Sequence, residues 1–496
     1  MKLHDICQKL NIVCPEHLMN IDVLGITSNS QRVKEGYAFV CLEGTKTDGH
    51  RYINDALLNG ACAVIIEKNE FSCHNSILVD DSRATLAKMM NIFCDEPTKK
   101  LKFIAVTGTN GKTSVSVMIK NIFDKANIPC EVIGTLNCSS FLKKSEDSTA
   151  NFTTPDPEEL YPLLQRISGA GIKFVIMEAS SHALKLKKLE PIEFEFGIFT
   201  NLSEDHLDFH LNMEDYFKAK LTLFDKCKCG IINIDDYYGK LILKASSCSL
   251  ITCSLKHSAD FIANNIQYYG EQGVKYKIQN KEKEIDIECN IPGEFSVYNS
   301  MQASICASLV GIDEYVITDA FKNFSGVCGR LEKIGIFEGW GFAAFIDYAH
   351  TPDALQKLLD TVNSFKMTNQ RVVLLFGCGG DREKEKRKIM GDIAIKNADF
   401  VVVTSDNPRS ESPNSIINEI LLGMKEAVDF AVIPDRKKAI EYVIATAKEG
   451  DIILLAGKGH ENYEINSYGR SPFDERKILF NLYKKYYERK CMKNED

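Results

Sequence analysis

The residues best equipped for chemistry begin with a glycine-bracketed run, Gly108, Thr109, Asn110, Gly111, Lys112 and Thr113, followed by Ser114. An apolar stretch at 103–106 precedes it and a helix-compatible stretch at 114–126 follows. Strand, glycine turn and helix in that order make a phosphate loop. The glycines let backbone N–H groups face phosphate oxygens, Lys112 reaches the β and γ oxygens, and the Thr113 hydroxyl can serve Mg2+. The common GxxxxGK[ST] spacing wants glycine where Val106 stands, so this is the shorter GTNGKT form.

Two clusters come next. Glu178 lies just past an apolar run at 174–177, with Ser180, Ser181 and His182 behind it. An acid at a neighbouring strand end is well placed to hold Mg2+, and equally able to cap the following helix. The segment 200–210 carries Glu204, Asp205, His206 and His210. Leu207 sits where a zinc protease needs glutamate, which excludes that chemistry and leaves His206 as a metal ligand or a loop cap. Lys218 and Lys220 read as a solvated helix face.

The last third holds four polar segments, each after an apolar run: Asp347 to Asp353, Gly377 to Arg382, Asp406-Asn407-Pro408-Arg409, and Gly457 to Glu461. Turn composition explains any one of them. Four at one sheet edge, each bringing an arginine or a carboxylate, make a binding pocket.

Elements must hold these groups in place. At about 150 residues per domain, 496 residues give about three domains, each able to bury a core. Apolar runs at 174–177, 197–200 and 230–234, then at 343–346, 372–376, 400–403 and 452–456, alternate with helical periodicity. That is the rhythm of α/β parallel sheets, where ligands gather at the carboxyl ends of strands. A break at 95–98 ends a first small α/β domain, and the rhythm restarts after Arg330.

Composition excludes other classes. Basic residues number 60 and acidic ones 68, a net charge of −8 that offers no footprint for nucleic acid or an anionic membrane. No apolar run reaches the ~18 residues of a span, and Asp5 stands where a secretory signal is apolar. The 17 cysteines are odd in number and contain no CxxC pair, as expected of free thiols in a reducing, cytoplasmic setting. The charged tail 486–496 is expected to be a solvated end.

In this order, GTNGKT, MEASSHAL, NLSEDHLDFH, DYFKAKLTLF, GRLE, DYAHTPDAL, GGDR, DNPR and GKGHE resemble the ATP-dependent Mur ligases over nearly the whole chain. The resemblance implies a three-domain α/β fold. Residues 1–100 would form a small domain for the uridine nucleotide. Residues 101–329 would form a central P-loop ATPase domain with a mainly parallel sheet. Residues 330–496 would form a Rossmann-like domain that brings an amino acid and closes over ATP. The implied activity is an ADP-forming amide ligase of cytoplasmic peptidoglycan synthesis, hence of cell wall biogenesis, cell shape and cell division. ATP would phosphorylate the D-glutamate γ-carboxylate of UDP-N-acetylmuramoyl-L-Ala-D-Glu, and an amine would attack the acyl phosphate.

Carried over residue by residue, the resemblance makes Lys112, Glu178, His206 and Lys220 catalytic, with Lys220 as a carbamate. Thr113, Glu178, His206 and that carbamate would hold Mg2+. Gly108 through Ser114 would bind ATP, with Asn299 at the adenine and Arg330 and Asp347 as further nucleotide contacts. Ser30, Thr45, Lys46 and Thr47 match uridine-side positions, and Thr153, Thr154, Ser180 and Lys188 match muramoyl-peptide positions. Lys188 stands where relatives often carry arginine, and Leu186 near where some carry glutamine. Arg409, with Asp406, Asn407, Pro408, Arg382, Gly457 and Glu461, implies meso-diaminopimelate as the amino acid. An arginine fork matches the distal carboxylate that L-lysine lacks, and Glu461 would take the distal ammonium. The family default is a monomer. Two other readings compete: a related amide ligase such as a folylpolyglutamate synthetase, and a phosphate-loop switch with no acyl acceptor.

Overall fold

The structure, a computed structural model, describes residues 1–44, 47–136, 153–207, 209–322, 324–335, 340–425 and 429–493, with side chains up to residue 486. Thr45 and Lys46 lie outside the described residues. The chain forms two compact units, Met1–Phe261 with Gln302–Ile312, and Ile262–Met301 with Asp313–Asp496.

The first unit holds a four-stranded parallel sheet of Gly25–Thr27, Tyr37–Val40, Ala61–Ile66 and Ser76–Leu78. Its larger parallel sheet runs in the order Ser249–Ser254, Cys227–Asn233, Phe194–Phe199, Lys102–Thr107, Phe174–Glu178, Cys130–Ile133. Lys102–Thr107 is an interior strand, buried from Phe103 onward, and its unbroken apolar run is what a strand covered on both faces requires. Val106 pairs with Glu178 on one side and Ile198 on the other. Three strand ends therefore open side by side. One core runs from Leu3, Ile65 and Met90 through Phe103 and Leu164 to Ile232, which is why the N-terminal sheet joins the central one in a single unit.

The second unit contains antiparallel strands at Phe261–Tyr268, Val274–Gln279 and Glu284–Cys289. The sequence reading did not anticipate them, although burial alternates strictly along Glu284–Cys289, the mark of a half-buried strand. A six-stranded sheet follows in the order Glu332–Lys333, Ala343–Asp347, Ile452–Ala456, Val372–Phe376, Phe400–Val403, Phe430–Val432. Successive side chains of its strands point to opposite faces. Phe345, Leu374, Val401 and Leu454 enter one core, and Ile346, Leu375, Val402 and Leu455 the other. Both faces being covered, these strands must be apolar throughout, so their polar residues collect at the ends.

Two expectations need correcting. The helix after the phosphate loop is Lys112–Lys125 and starts two residues earlier than predicted, because Gly111 at φ 86° serves as its N-cap. The tail is not simply a solvated end: the helix Glu475–Lys493 runs through it, and Tyr486 packs against Trp340 with ring centroids 6.3 Å apart. The 15 cysteines whose side chains are described are free thiols. Among the described residues, no helix is long and apolar enough to cross a membrane.

Candidate active site

In the first unit the phosphate loop leaves the Lys102–Thr107 strand and is tied to the segment after Phe194–Phe199. Thr109 N–H donates to the Asn201 carbonyl at 2.9 Å, Asn110 N–H to Asn201 Oδ1 at 3.1 Å, and Thr200 Oγ1 to the Asn110 carbonyl at 2.6 Å. Gly108 sits at φ 148°, and a Cβ there would lie 1.9 Å from Thr200 Oγ1, so only glycine admits this approach. The loop feeds directly into the N-terminus of Lys112–Lys125, where unpaired N–H groups and the helix dipole favour an anion. Lys112 Nζ donates to the carbonyls of Gly108 and Thr109 at 3.0 and 2.9 Å.

Glu178 ends the neighbouring strand and is buried. Thr113 Oγ1 donates to its Oε2 at 3.0 Å, Thr135 N–H to Oε1 at 2.9 Å, and Thr135 Oγ1 to Oε2 at 3.0 Å. Thr154 Oγ1 donates to the Glu178 carbonyl at 2.7 Å and to Ser180 Oγ at 3.1 Å, and Thr153 Oγ1 is 3.2 Å from Thr135 Oγ1. Thr113 and Thr135 thus meet at the Glu178 carboxylate, while Thr154 is held at its backbone carbonyl.

Lys220 overturns the expectation of a solvated lysine pair. Lys218 is exposed, but Lys220, on the same helix Met213–Leu221, is buried, donates to the Gly108 carbonyl at 2.9 Å and lies 4.6 Å from the Tyr216 ring centre. Burial, and then the Lys112 charge, hold its amine well below the usual lysine range. His206 has φ 55°, donates through its backbone N–H to Asp205 Oδ1 at 2.8 Å, and packs edge-on to His182 with ring centroids 5.1 Å apart. His210 is buried between Ser181 Oγ, 2.9 Å, and Asp215 Oδ2, 3.3 Å, and burial lowers its pKa. Among the described residues no three His, Cys, Asp or Glu side chains converge as a metal cage.

A cavity of about 350 Å³ in the same unit is lined by Ser28, Asn29, Arg32, Arg83, Leu186 and Lys188, among others. Lys188 pairs with Asp156 at 2.6 Å, and Glu158 Oε1 accepts from Ser28 Oγ at 2.7 Å. Arg32 and Arg83, which sequence reasoning did not name as site residues, both line the cavity. Ser30 contributes its carbonyl to Asn59 Nδ2 at 3.2 Å and does not line the cavity. Thr47 accepts from Gly44 N–H at 2.9 Å through its carbonyl.

In the second unit four strand ends build a polar cleft, lined by Tyr348, His350, Gly379, Arg382, Lys386, Asp406, Asn407, Arg409, Gly457 and Glu461. This is the convergence that the four motifs predicted. Arg409, at φ 52°, donates through Nη1 to the Gly380 carbonyl at 2.9 Å, and Asn407 Nδ2 donates to Glu461 Oε2 at 2.8 Å. Gly457 is at φ 112°, and a Cβ there would lie 2.4 Å from Asp406 Oδ2. Pro408 is buried behind the loop. Beneath it Arg387, fully buried, donates to Glu411 through both Nη groups at 2.9 and 2.7 Å, to Glu419 at 2.8 Å and to the Gly379 carbonyl at 3.2 Å. Asp347 accepts from Leu331 N–H at 2.7 Å and Ala349 N–H at 2.8 Å, and burial raises its pKa against the pull of Arg330. Arg330 stacks 5.1 Å from the Tyr348 ring centre. Asn299 is buried on the helix Glu294–Val310 of this unit.

Comparison with known proteins places this arrangement. Three family models match: "Mur ligase family, catalytic domain" at 22–93, "Mur ligase middle domain" at 106–307 and "Mur ligase, glutamate ligase domain" at 329–459. A UDP-N-acetylmuramoyl-L-alanyl-D-glutamate–2,6-diaminopimelate ligase of Caldanaerobacter subterraneus subsp. tengcongensis is 40% identical over 464 residues, 93% of this chain and 94% of that protein. The chain belongs to the Mur ligase family. The like-named protein of Clostridioides difficile shares 38% identity with this Mur ligase over 484 residues, 96% of this chain and 98% of that one. A solved structure of a protein with the same name has a TM-score of 0.70 at 30% identity, covering 97% of this chain and 99% of its own. The three-domain α/β architecture is that of the family. Within this Mur ligase the structure gathers Lys112, Thr113, Glu178 and Lys220 around one loop, and Arg382, Asp406, Asn407, Arg409, Gly457 and Glu461 around one cleft. Tyr348, His350 and Lys386 also line that cleft; all three stand inside or just beyond the quoted motifs, which was the available signal.

Proposed function

We propose that this Mur ligase adds meso-2,6-diaminopimelate to UDP-N-acetylmuramoyl-L-Ala-D-Glu, consuming ATP, in cytoplasmic peptidoglycan precursor synthesis. The observation that carries the reading is the cleft around Arg409. It presents arginine forks at Arg382 and Arg409 and carboxylates at Asp406 and Glu461, a pattern complementary to an amino acid with two carboxylates and a distal ammonium. L-Lysine would offer the half-buried Arg409 no carboxylate, leaving its guanidinium only the Gly380 and Asn407 carbonyls and forfeiting the charge-assisted bidentate pair. The names of the relatives agree with this choice.

In the reaction the D-glutamate γ-carboxylate oxygen attacks the γ-phosphorus of ATP, and ADP leaves. The diaminopimelate amine then attacks the acyl carbon, loses a proton and expels phosphate. Phosphate charge is met by the loop N–H groups at 108–114 and by Lys112, which must leave its two carbonyl partners to reach it. Thr113 and Glu178 suit a hard cation: a hydroxyl in the first turn of the helix Lys112–Lys125 and a carboxylate at a strand end, 3.0 Å apart, are oxygen donors of the right kind. Mg2+ there would be held by these two with His206 and Lys220 as its carbamate, and would offset phosphate charge. Burial lowers the cost of deprotonating the Lys220 amine, and the deprotonated amine can add to CO2, giving a carboxylate on a long stem.

The division of labour is residues 1–100 for the uridine nucleotide with Ser30 and Thr47, 101–329 for ATP, and 330–496 for the amino acid. Thr45 and Lys46 belong to the first set by position. Thr153, Thr154, Ser180 and Lys188 serve the muramoyl peptide; Asn299, Arg330 and Asp347 serve the nucleotide. The enzyme works as a monomer. Mass spectrometry of a reaction with ATP, Mg2+, the UDP-linked dipeptide and meso-diaminopimelate tests the reading. It predicts a UDP-muramoyl tripeptide formed only when all are present; ATP hydrolysis indifferent to the peptide and the diamine would contradict it.

A further inference from the structure

We infer that Lys458 is a positioning residue for amino-acid selection, acting through Asn407 to keep Glu461 charged and aimed at the distal ammonium; this rests on the reading above. Lys458 is fully buried. Its Nζ donates to Asn407 Oδ1 at 3.0 Å and to the Tyr463 carbonyl at 3.0 Å, and lies 3.9 Å from Glu461 Oε2. The Ile465 N–H also donates to Asn407 Oδ1, at 2.9 Å. Two donors on one atom decide which end of the amide is oxygen. Asn407 must therefore turn Nδ2 the other way, and there it meets Glu461 Oε2 at 2.8 Å. With Oε2 held, Oε1, 3.5 Å from the Tyr463 hydroxyl, is the oxygen available to a ligand ammonium.

Burying an ammonium is costly, and here burial lowers the Lys458 pKa while Asp406 supports its charge. An apolar side chain would fill the space at no such cost. What the charge supplies is compensation for carboxylates crowded in one cleft. Burial raises the Glu461 carboxyl first and Asp406 adds to it; the Asn407 hydrogen bond, Lys458 and Arg409 oppose them. Tyr348, Tyr463 and the buried Arg436 are the other ionisable groups that face Glu461. Lys458 is the cation that both faces Glu461 and orders the amide in contact with it.

The test is kinetics of Lys458→Met, close to isosteric, beside the wild-type protein. Wild-type turnover of meso-diaminopimelate comes first, since its absence fails the substrate reading and not this one. Given turnover, Lys458→Met raises the diaminopimelate KM about tenfold or more, with the ATP and UDP-dipeptide KM values and saturated kcat within about twofold. The acid limb of kcat/KM for diaminopimelate moves to higher pH, because Glu461 loses a cation. Adding Lys458→Met to Asn407→Leu costs no more than Asn407→Leu alone, since both cut one chain of contacts. An unmoved acid limb, or effects that simply add, overturn the proposal. Should Lys458→Met fail to fold, Asn407→Ser, too short to bridge the two, must show the same limb shift, and an unmoved limb again overturns it.

Discussion

Around the phosphate loop, side chains lean on backbone: Lys112 and Lys220 both donate to the Gly108 carbonyl, and Thr109 and Asn110 are held by the 200–203 segment. In the cleft of the second unit, side chains lean on other polar and charged side chains, with Arg387 gripping Glu411 and Glu419 and Lys458 gripping Asn407. On the proposed reading the first region recognises what every phosphate offers, for which main-chain N–H groups and one helix terminus suffice. On the same reading the second must tell one amino acid from another, which needs charges at fixed separations and a buried layer to fix them.

The comparison breaks most sharply at the phosphate end. Lys112→Ala and Glu178→Gln should each lower kcat by about 10³-fold, the scale of removing a donor or charge from a preorganised transition-state site. Neither should shift the diaminopimelate KM by more than about twofold, and a steady-state analysis with each substrate varied checks this. Next comes Lys220. Turnover in CO2-stripped buffer should fall and recover with bicarbonate, and Lys220→Arg, whose guanidinium takes no carbamate, should stay inactive in both.

In the cleft the effects should be smaller and confined to one substrate. Arg409→Lys should raise the diaminopimelate KM by about 30-fold, roughly 2 kcal/mol, for loss of the bidentate fork, and leave ATP binding alone. Glu411→Gln, which loosens the Arg387 grip beneath the loop, should raise it only a few-fold. Glu411 also yields a stability test. Arg387 first, then the Asp381 N–H, hold its carboxyl at about 2, below the ordinary 4.5. A depressed acid stabilises fully above 4.5, and that contribution is lost as pH falls toward 2. Acid unfolding of Glu411→Gln should therefore show a shallower loss across that window than the wild-type protein, by circular dichroism.

The same contrast explains what the sequence disclosed. GTNGKT was legible because backbone recognition compresses into consecutive residues with one spacing. The four cleft motifs were legible as strand ends, since strands covered on both faces push polarity to their termini, and Val372–Phe376, Phe400–Val403 and Ile452–Ala456 end where the apolar runs do. Lys220 was misread because helix periodicity marks a face and does not reveal that Tyr216 and the Gly108 carbonyl cover it. Arg83 and Lys458 escaped because their partners, the Glu43 carbonyl and Asn407, lie far along the chain. Arg387, five residues past the GGDR turn, looked like one more surface charge in a Lys- and Glu-rich stretch; only folding brings Glu411 and Glu419 onto it.

The central claim is that Arg409 and Glu461 together select an amino acid carrying a carboxylate beside its distal ammonium. The most direct measurement is the ratio of kcat/KM for meso-diaminopimelate to that for L-lysine, from phosphate release with ATP and the UDP-linked dipeptide saturating. The account predicts a ratio of about 10³ or more, falling by more than tenfold in Arg409→Lys; a ratio near or below one in the wild-type enzyme would contradict it.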